Sequence, residues 1–139
     1  MLFRSSHLRF IPARDDEEAG LTVLMNDRHH YEVALTRLEG QVQVIVRRRI
    51  GDLSALVACE SVEAEELELT IQTDADRYTF AYALPGQGAR ILARGLARYL
   101  GSEVAGGFTG VYLGMYATSN NQGQSAPADF DWSDYMPLE

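Results

Sequence analysis

The chain has 139 residues, of which 46% are hydrophobic and 23% charged, and its net charge is −8. This is the composition of a single globular domain with a real core, and the domain is taken to span residues 1–139. The negative charge excludes nucleic acid and anionic membrane as partners. The one cysteine, Cys59, excludes an intrachain disulfide and sits in an apolar run, where a small buried hydrophobe is expected. No apolar stretch of about eighteen residues and no signal-peptide apolar region occurs, so a cytoplasmic location is expected.

Taken in order, the elements read as β. Residues 19–25 are apolar and expected to be buried on both faces. Residues 31–37 alternate, with Tyr31, Val33 and Leu35 on one side and Glu32, Ala34 and Thr36 on the other. Glu39-Gly40 signals a tight hairpin into residues 41–49, where Val42, Val44 and Val46 oppose Gln43, Ile45 and Arg47. After the turn at Gly51-Asp52, residues 53–59 form a further apolar run. Residues 66–73 turn Leu67, Leu69 and Ile71 inward, and residues 77–84 place Tyr78, Phe80, Tyr82 and Leu84 on one face. Residues 90–100 read as a short strand, a turn and an irregular piece, because Gly95 interrupts any helical stripe. A last strand is expected over residues 127–135. Short strands with frequent turns predict an all-β antiparallel sandwich.

The most informative stretch is residues 106–117. At period two, Val111, Leu113, Met115 and Ala117 point to the core, while Gly110, Tyr112, Gly114 and Tyr116 share the other face. Glycine alternating with tyrosine is unusual for a solvent face and reads as a platform for a ligand or another domain. Phe108 precedes it in a glycine-rich turn able to hold an aromatic ring away from the body.

The remaining chemistry is sparse. Glu17-Glu18 is expected in a turn, and Glu65, Glu66 and Glu68 on a polar strand face, all solvated. His29-His30 face opposite ways on a strand and cannot easily chelate one ion. The three arginines 47–49 split between faces and are expected to pair with nearby carboxylates. Asp129 and Asp131 share a face, with Phe130 and Trp132 opposite, which makes the two aspartates weak candidates for a structural calcium. No nucleophile triad, phosphate loop or dinucleotide fingerprint is present, and Gly86-Gln87-Gly88 lacks the strand-to-helix context. No other cofactor is expected.

Several segments together, in order, resemble a known family. They are Glu17-Glu18-Ala19-Gly20-Leu21-Thr22-Val23, His29-His30-Tyr31, Gly107-Phe108-Thr109-Gly110 with Gly114, and Pro127-Ala128-Asp129-Phe130-Asp131-Trp132. The set resembles the C-terminal domain of glycoside hydrolase family 43 β-xylosidases and α-L-arabinofuranosidases. The resemblance implies a concanavalin A-like jelly roll that lacks the family's strands ahead of Phe3–Phe10, with a sheet edge left open to homo-oligomer formation. It implies a non-catalytic accessory domain, whose catalytic carboxylates belong to a five-bladed propeller bound in cis or in trans. It further implies that Phe108 enters the rim of the propeller's active-site pocket. The alternative reading is a free-standing carbohydrate-binding module for xylo-oligosaccharides, with Tyr112, Tyr116 and Trp132 as stacking rings. A self-sufficient glycosidase would need two carboxylates facing one cleft, and no such pair is identifiable in the sequence.

Overall fold

Alternation of apolar and polar residues becomes ten antiparallel strands in a computed structural model, which describes residues 2–74, 76–96, 100, 112–120 and 127–137. The strands are β1 Leu2–Phe10, β2 Glu18–Asn26, β3 His29–Leu38, β4 Gln41–Ile50, β5 Leu53–Ser61, β6 Glu66–Thr73, β7 Arg77–Ala83, β8 Arg90–Leu96, β9 Tyr112–Thr118 and β10 Ala128–Pro137. They form two five-stranded sheets, ordered β10-β1-β6-β7-β8 and β5-β4-β3-β2-β9. The strand β1 is an addition to the elements expected from sequence. It lies between β10 and β6, so among the described residues the edges are β10 and β8 in one sheet and β5 and β9 in the other.

The two sheets meet through the inward residues of each strand. Leu8, Phe10, Leu21, Val23, Val33, Leu35, Val44, Val46, Leu67, Leu69 and Ile71 are buried between them. An aromatic cluster anchors one flank: the ring of Tyr31 on β3 lies 5.6 Å from Tyr78 and 5.5 Å from Phe80 on β7. Edge-on and tilted ring pairs of this kind add about 0.5–1.5 kcal/mol each beyond their buried area. The Tyr31 hydroxyl donates to the Leu96 carbonyl at 3.0 Å, so the buried phenol is satisfied.

The hairpin between β3 and β4 is the tight one expected. Glu39 and Gly40 have φ of 51° and 78°, the paired left-handed conformation of a two-residue hairpin that follows the strand twist.

Two expectations are corrected. Cys59 is exposed, because β5 is an edge strand whose apolar run stays outside the core, with Leu53 71% exposed. Glu17 and Glu18 are buried, not solvated. In β10 the register shifts beside His7 and Leu8, so Phe130 pairs with Leu8 and Trp132 with His7.

Met115 reaches across to the opposite sheet, where its Sδ accepts the Ser6 hydroxyl at 3.7 Å. It is nevertheless 45% exposed, because among the described residues β9 has a neighbour on one side only.

Candidate functional site

The outer face of the β5-β4-β3-β2-β9 sheet is where charge collects. Alternation turns Glu18, Glu32 and Arg47 away from the sandwich core, and register brings them together. Glu32 is the direct cross-strand partner of Arg47. Glu18 lies on β2, beside Thr36 of β3 and Thr118 of β9. Such residues are normally wet, yet Glu18 is only 2% exposed, and Ala34 and Ile45 on the same face are fully buried.

Glu18 is held by two strands at once. Arg47 donates from both terminal nitrogens to the two carboxylate oxygens, each at 2.8 Å. The Tyr116 hydroxyl of β9 donates to Oε2 at 2.5 Å. Burial by itself would raise the Glu18 pKa, but the bonds from Arg47 and Tyr116 outweigh it and hold the carboxyl below its usual range. The same bond to Glu18 raises the Arg47 pKa further. Burial, then the Glu18 charge, pushes the Tyr116 phenol well above its ordinary value.

A second link extends the cluster. His30 Nδ1 bonds Glu32 Oε2, and Arg47 Nη1 lies 3.5 Å from Glu32 Oε1. Beside His30 in register is Arg49, whose Nε donates to the Gly51 carbonyl at 3.0 Å. The next partner in that row is Ser54 of β5. These residues, with Asp16, Thr118 and Asn120, line a cleft of about 500 Å³.

Glu17 has a different task. Its Oε1 accepts the backbone amides of Ala13 and Arg14, each at 2.7 Å, and so ties down the turn before β2. Glu18 reads as a surface residue in the sequence because its partner is not local. Arg47 lies 29 positions from Glu18, and only strand register makes them neighbours.

Of the residues expected to carry function, Tyr116 enters this cleft as a hydrogen-bond donor. Tyr112 is the first residue of β9, paired with Leu24, and its side chain lies outside the described region. Phe108 also lies outside the described residues. Asp129 is an exposed residue of β10, and the Asp131 and Trp132 side chains are outside the described region. Among the described residues no group of three or more His, Cys, Asp or Glu side chains is arranged to hold a metal ion.

The comparisons with known proteins agree with one another. The profile of the β-xylosidase C-terminal concanavalin A-like domain matches residues 4–136. A non-reducing end α-L-arabinofuranosidase of Bacteroides ovatus is 38% identical over 139 residues, covering 99% of this chain and 26% of that protein. A xylosidase/arabinosidase of Butyrivibrio fibrisolvens is 27% identical over 133 residues, covering 94% of this chain and 25% of that protein. The chain thus spans about a quarter of the length of these relatives. Among solved structures, the Bacteroides ovatus xyloglucan-locus protein GH43B superposes with a TM-score of 0.90 at 38% identity, over 99% of this chain and 27% of that one. A GH43 protein of Bacillus licheniformis shares the fold, with a TM-score of 0.91 at 23% identity over 99% of this chain and 27% of that one. On this evidence the chain belongs to the β-xylosidase C-terminal concanavalin A-like domain family, found in glycoside hydrolase family 43 proteins.

Proposed function

We propose that this chain is a non-catalytic accessory domain of a family 43 β-xylosidase or α-L-arabinofuranosidase. It packs on a five-bladed catalytic propeller, in cis or in trans, and Phe108 completes the rim of the propeller's active-site pocket. The observation that carries this reading is the family match over residues 4–136, together with the quarter share of its enzyme relatives that the chain spans. The remaining three quarters of those relatives leave room for a separate catalytic body.

The state of the buried carboxylates supports the absence of catalysis by this chain alone. Glu18 is saturated by Arg47 and Tyr116 and held ionised. Glu17 is bound to two backbone amides. A glycosidase acid needs the opposite, a raised pKa and a free proton to give. A presented ring at Phe108 would close a small subsite and exclude water from the propeller's pocket.

The test is reconstitution. The chain is mixed with, or fused to, the propeller of a family 43 relative, and turnover of aryl xyloside and arabinofuranoside is followed. Activity should require both parts, and Phe108→Ala should lower kcat/KM while the unfolding midpoint stays unchanged. Hydrolysis by the pure chain would overturn the reading. So would unfolding of the Phe108→Ala domain, since the ring would then be core.

A further inference from the structure

We propose that the cleft across the outer face of the β5-β4-β3-β2-β9 sheet binds a neutral, polyhydroxylated ligand of monosaccharide to disaccharide size, gripped by His30, Glu32, Arg49 and Ser54. This site does not depend on a propeller and makes no use of Phe108.

The cleft measures about 500 Å³, within the usual range for small-molecule sites. Its wall is built rather than incidental. Glu32 is nine-tenths buried, with its side chain 8% exposed, and is fixed by His30 on one oxygen. Arg47 braces the floor by binding Glu18 with both terminal nitrogens. Burying charges in this way is costly, and it leaves a rigid polar floor in place of a solvated sheet face.

The groups left for a ligand are mixed in kind. Among the described residues, His30 uses Nδ1 on Glu32 and Arg49 uses Nε on Gly51. Nε2 of His30 and the two terminal nitrogens of Arg49 are therefore open. The Glu32 Oε1 has only a 3.5 Å contact with Arg47 and can accept. Ser54 both donates and accepts. His30, Arg49 and Ser54 are successive cross-strand partners in one row, about 5 Å apart from strand to strand.

That mixture selects the ligand class. Hydroxyl groups donate and accept at once, so a diol satisfies a carboxylate and a guanidinium side by side. An anion would meet the Glu18 and Glu32 charges, and a cation would meet Arg47 and Arg49. Three carboxylates, Asp16, Glu18 and Glu32, and two guanidinium groups, Arg47 and Arg49, line the cleft, so an ion of either sign meets a like charge there.

The experiment is a titration of the full chain with xylobiose and with L-arabinose, followed by amide chemical shifts and by calorimetry. Glucuronate serves as the anionic control. Saturable binding of a neutral sugar is expected, with the largest shifts on β3, β4 and β5 around His30, Arg49 and Ser54. Ser54→Trp, which fills the cleft from the exposed edge strand, should weaken that binding at least tenfold. Arg49→Leu should do the same and serves where the tryptophan variant fails to fold. No saturable binding by the folded chain would overturn the proposal. Equal affinity in both folded variants, or preference for glucuronate, would overturn it too.

Discussion

The ring of Tyr31 occupies the space that a side chain at Gly95 would need. A Cβ built on Gly95 would lie 2.5 Å from Tyr31 Cε1 and 2.8 Å from its hydroxyl oxygen. Tyr31 is fully buried, and its hydroxyl is already committed to the neighbouring Leu96 carbonyl. Neither the ring nor strand β8 can move without loss. Gly95→Ala should destabilise the domain by about 1–3 kcal/mol, as overpacking does. Gly114→Ala is the control, since among the described residues nothing lies within 4 Å of its Cβ position, and its effect should stay within about 0.5 kcal/mol. Urea midpoints of the two variants check both.

Arg47→Met should cost about 3 kcal/mol, because it strands Glu18 and Glu32 as buried charges without their shared cation. The double variant Glu18→Gln/Arg47→Met should lose less than the sum of the single changes. A sum that is strictly additive in urea unfolding would mean that the two side chains do not act as a unit.

Stability should fall in acid in a way that depends on Glu18. Its folded pKa lies below the ordinary glutamate value of 4.5. Its contribution is therefore complete above that value and is lost as the pH falls through the folded pKa. Glu18→Gln should flatten the change in unfolding midpoint between about pH 3 and pH 7. At the alkaline end the sign reverses. The Tyr116 pKa is raised above 10.0, so its contribution is intact below that value and is lost as the pH rises through the folded pKa. Tyr116→Phe should remove this alkaline loss and cost about 1.5 kcal/mol at neutral pH, the worth of a hydrogen bond to a charged acceptor.

Cys59 should react with an aromatic disulfide reagent in the native state, one equivalent per chain, without prior unfolding. A reaction that appears only in denaturant would place β5 against further structure.

Much of the sandwich was legible as alternation, because one buried face per strand stamps period two onto the sequence. Residues 66–73 and 77–84 show this, with Leu67, Leu69, Ile71, Tyr78, Phe80 and Tyr82 all buried as read. The strand β1 escaped notice because its central position buries Ser5 and Ser6 rather than valines. An edge strand deceives in the other direction, for β5 is apolar yet exposed. The pairing of the arginines with carboxylates was anticipated at Arg47. What no local pattern showed was that Glu18 joins His30 and Glu32 in one cleft, since that grouping depends on the register of β2 against β3.

The first and last described strands are partners, with Leu2 opposite Pro137 and the pairing running on to Phe10 opposite Ala128. Tension applied to both ends of the described chain would enter at the same end of this ladder. The cross-strand bonds of β1 and β10 would then be loaded in turn, from Leu2 inwards, rather than all at once. A zipper of this kind opens at far lower force than strands pulled in shear. The domain is thus mechanically soft along its own chain ends, however firmly its two sheets hold together.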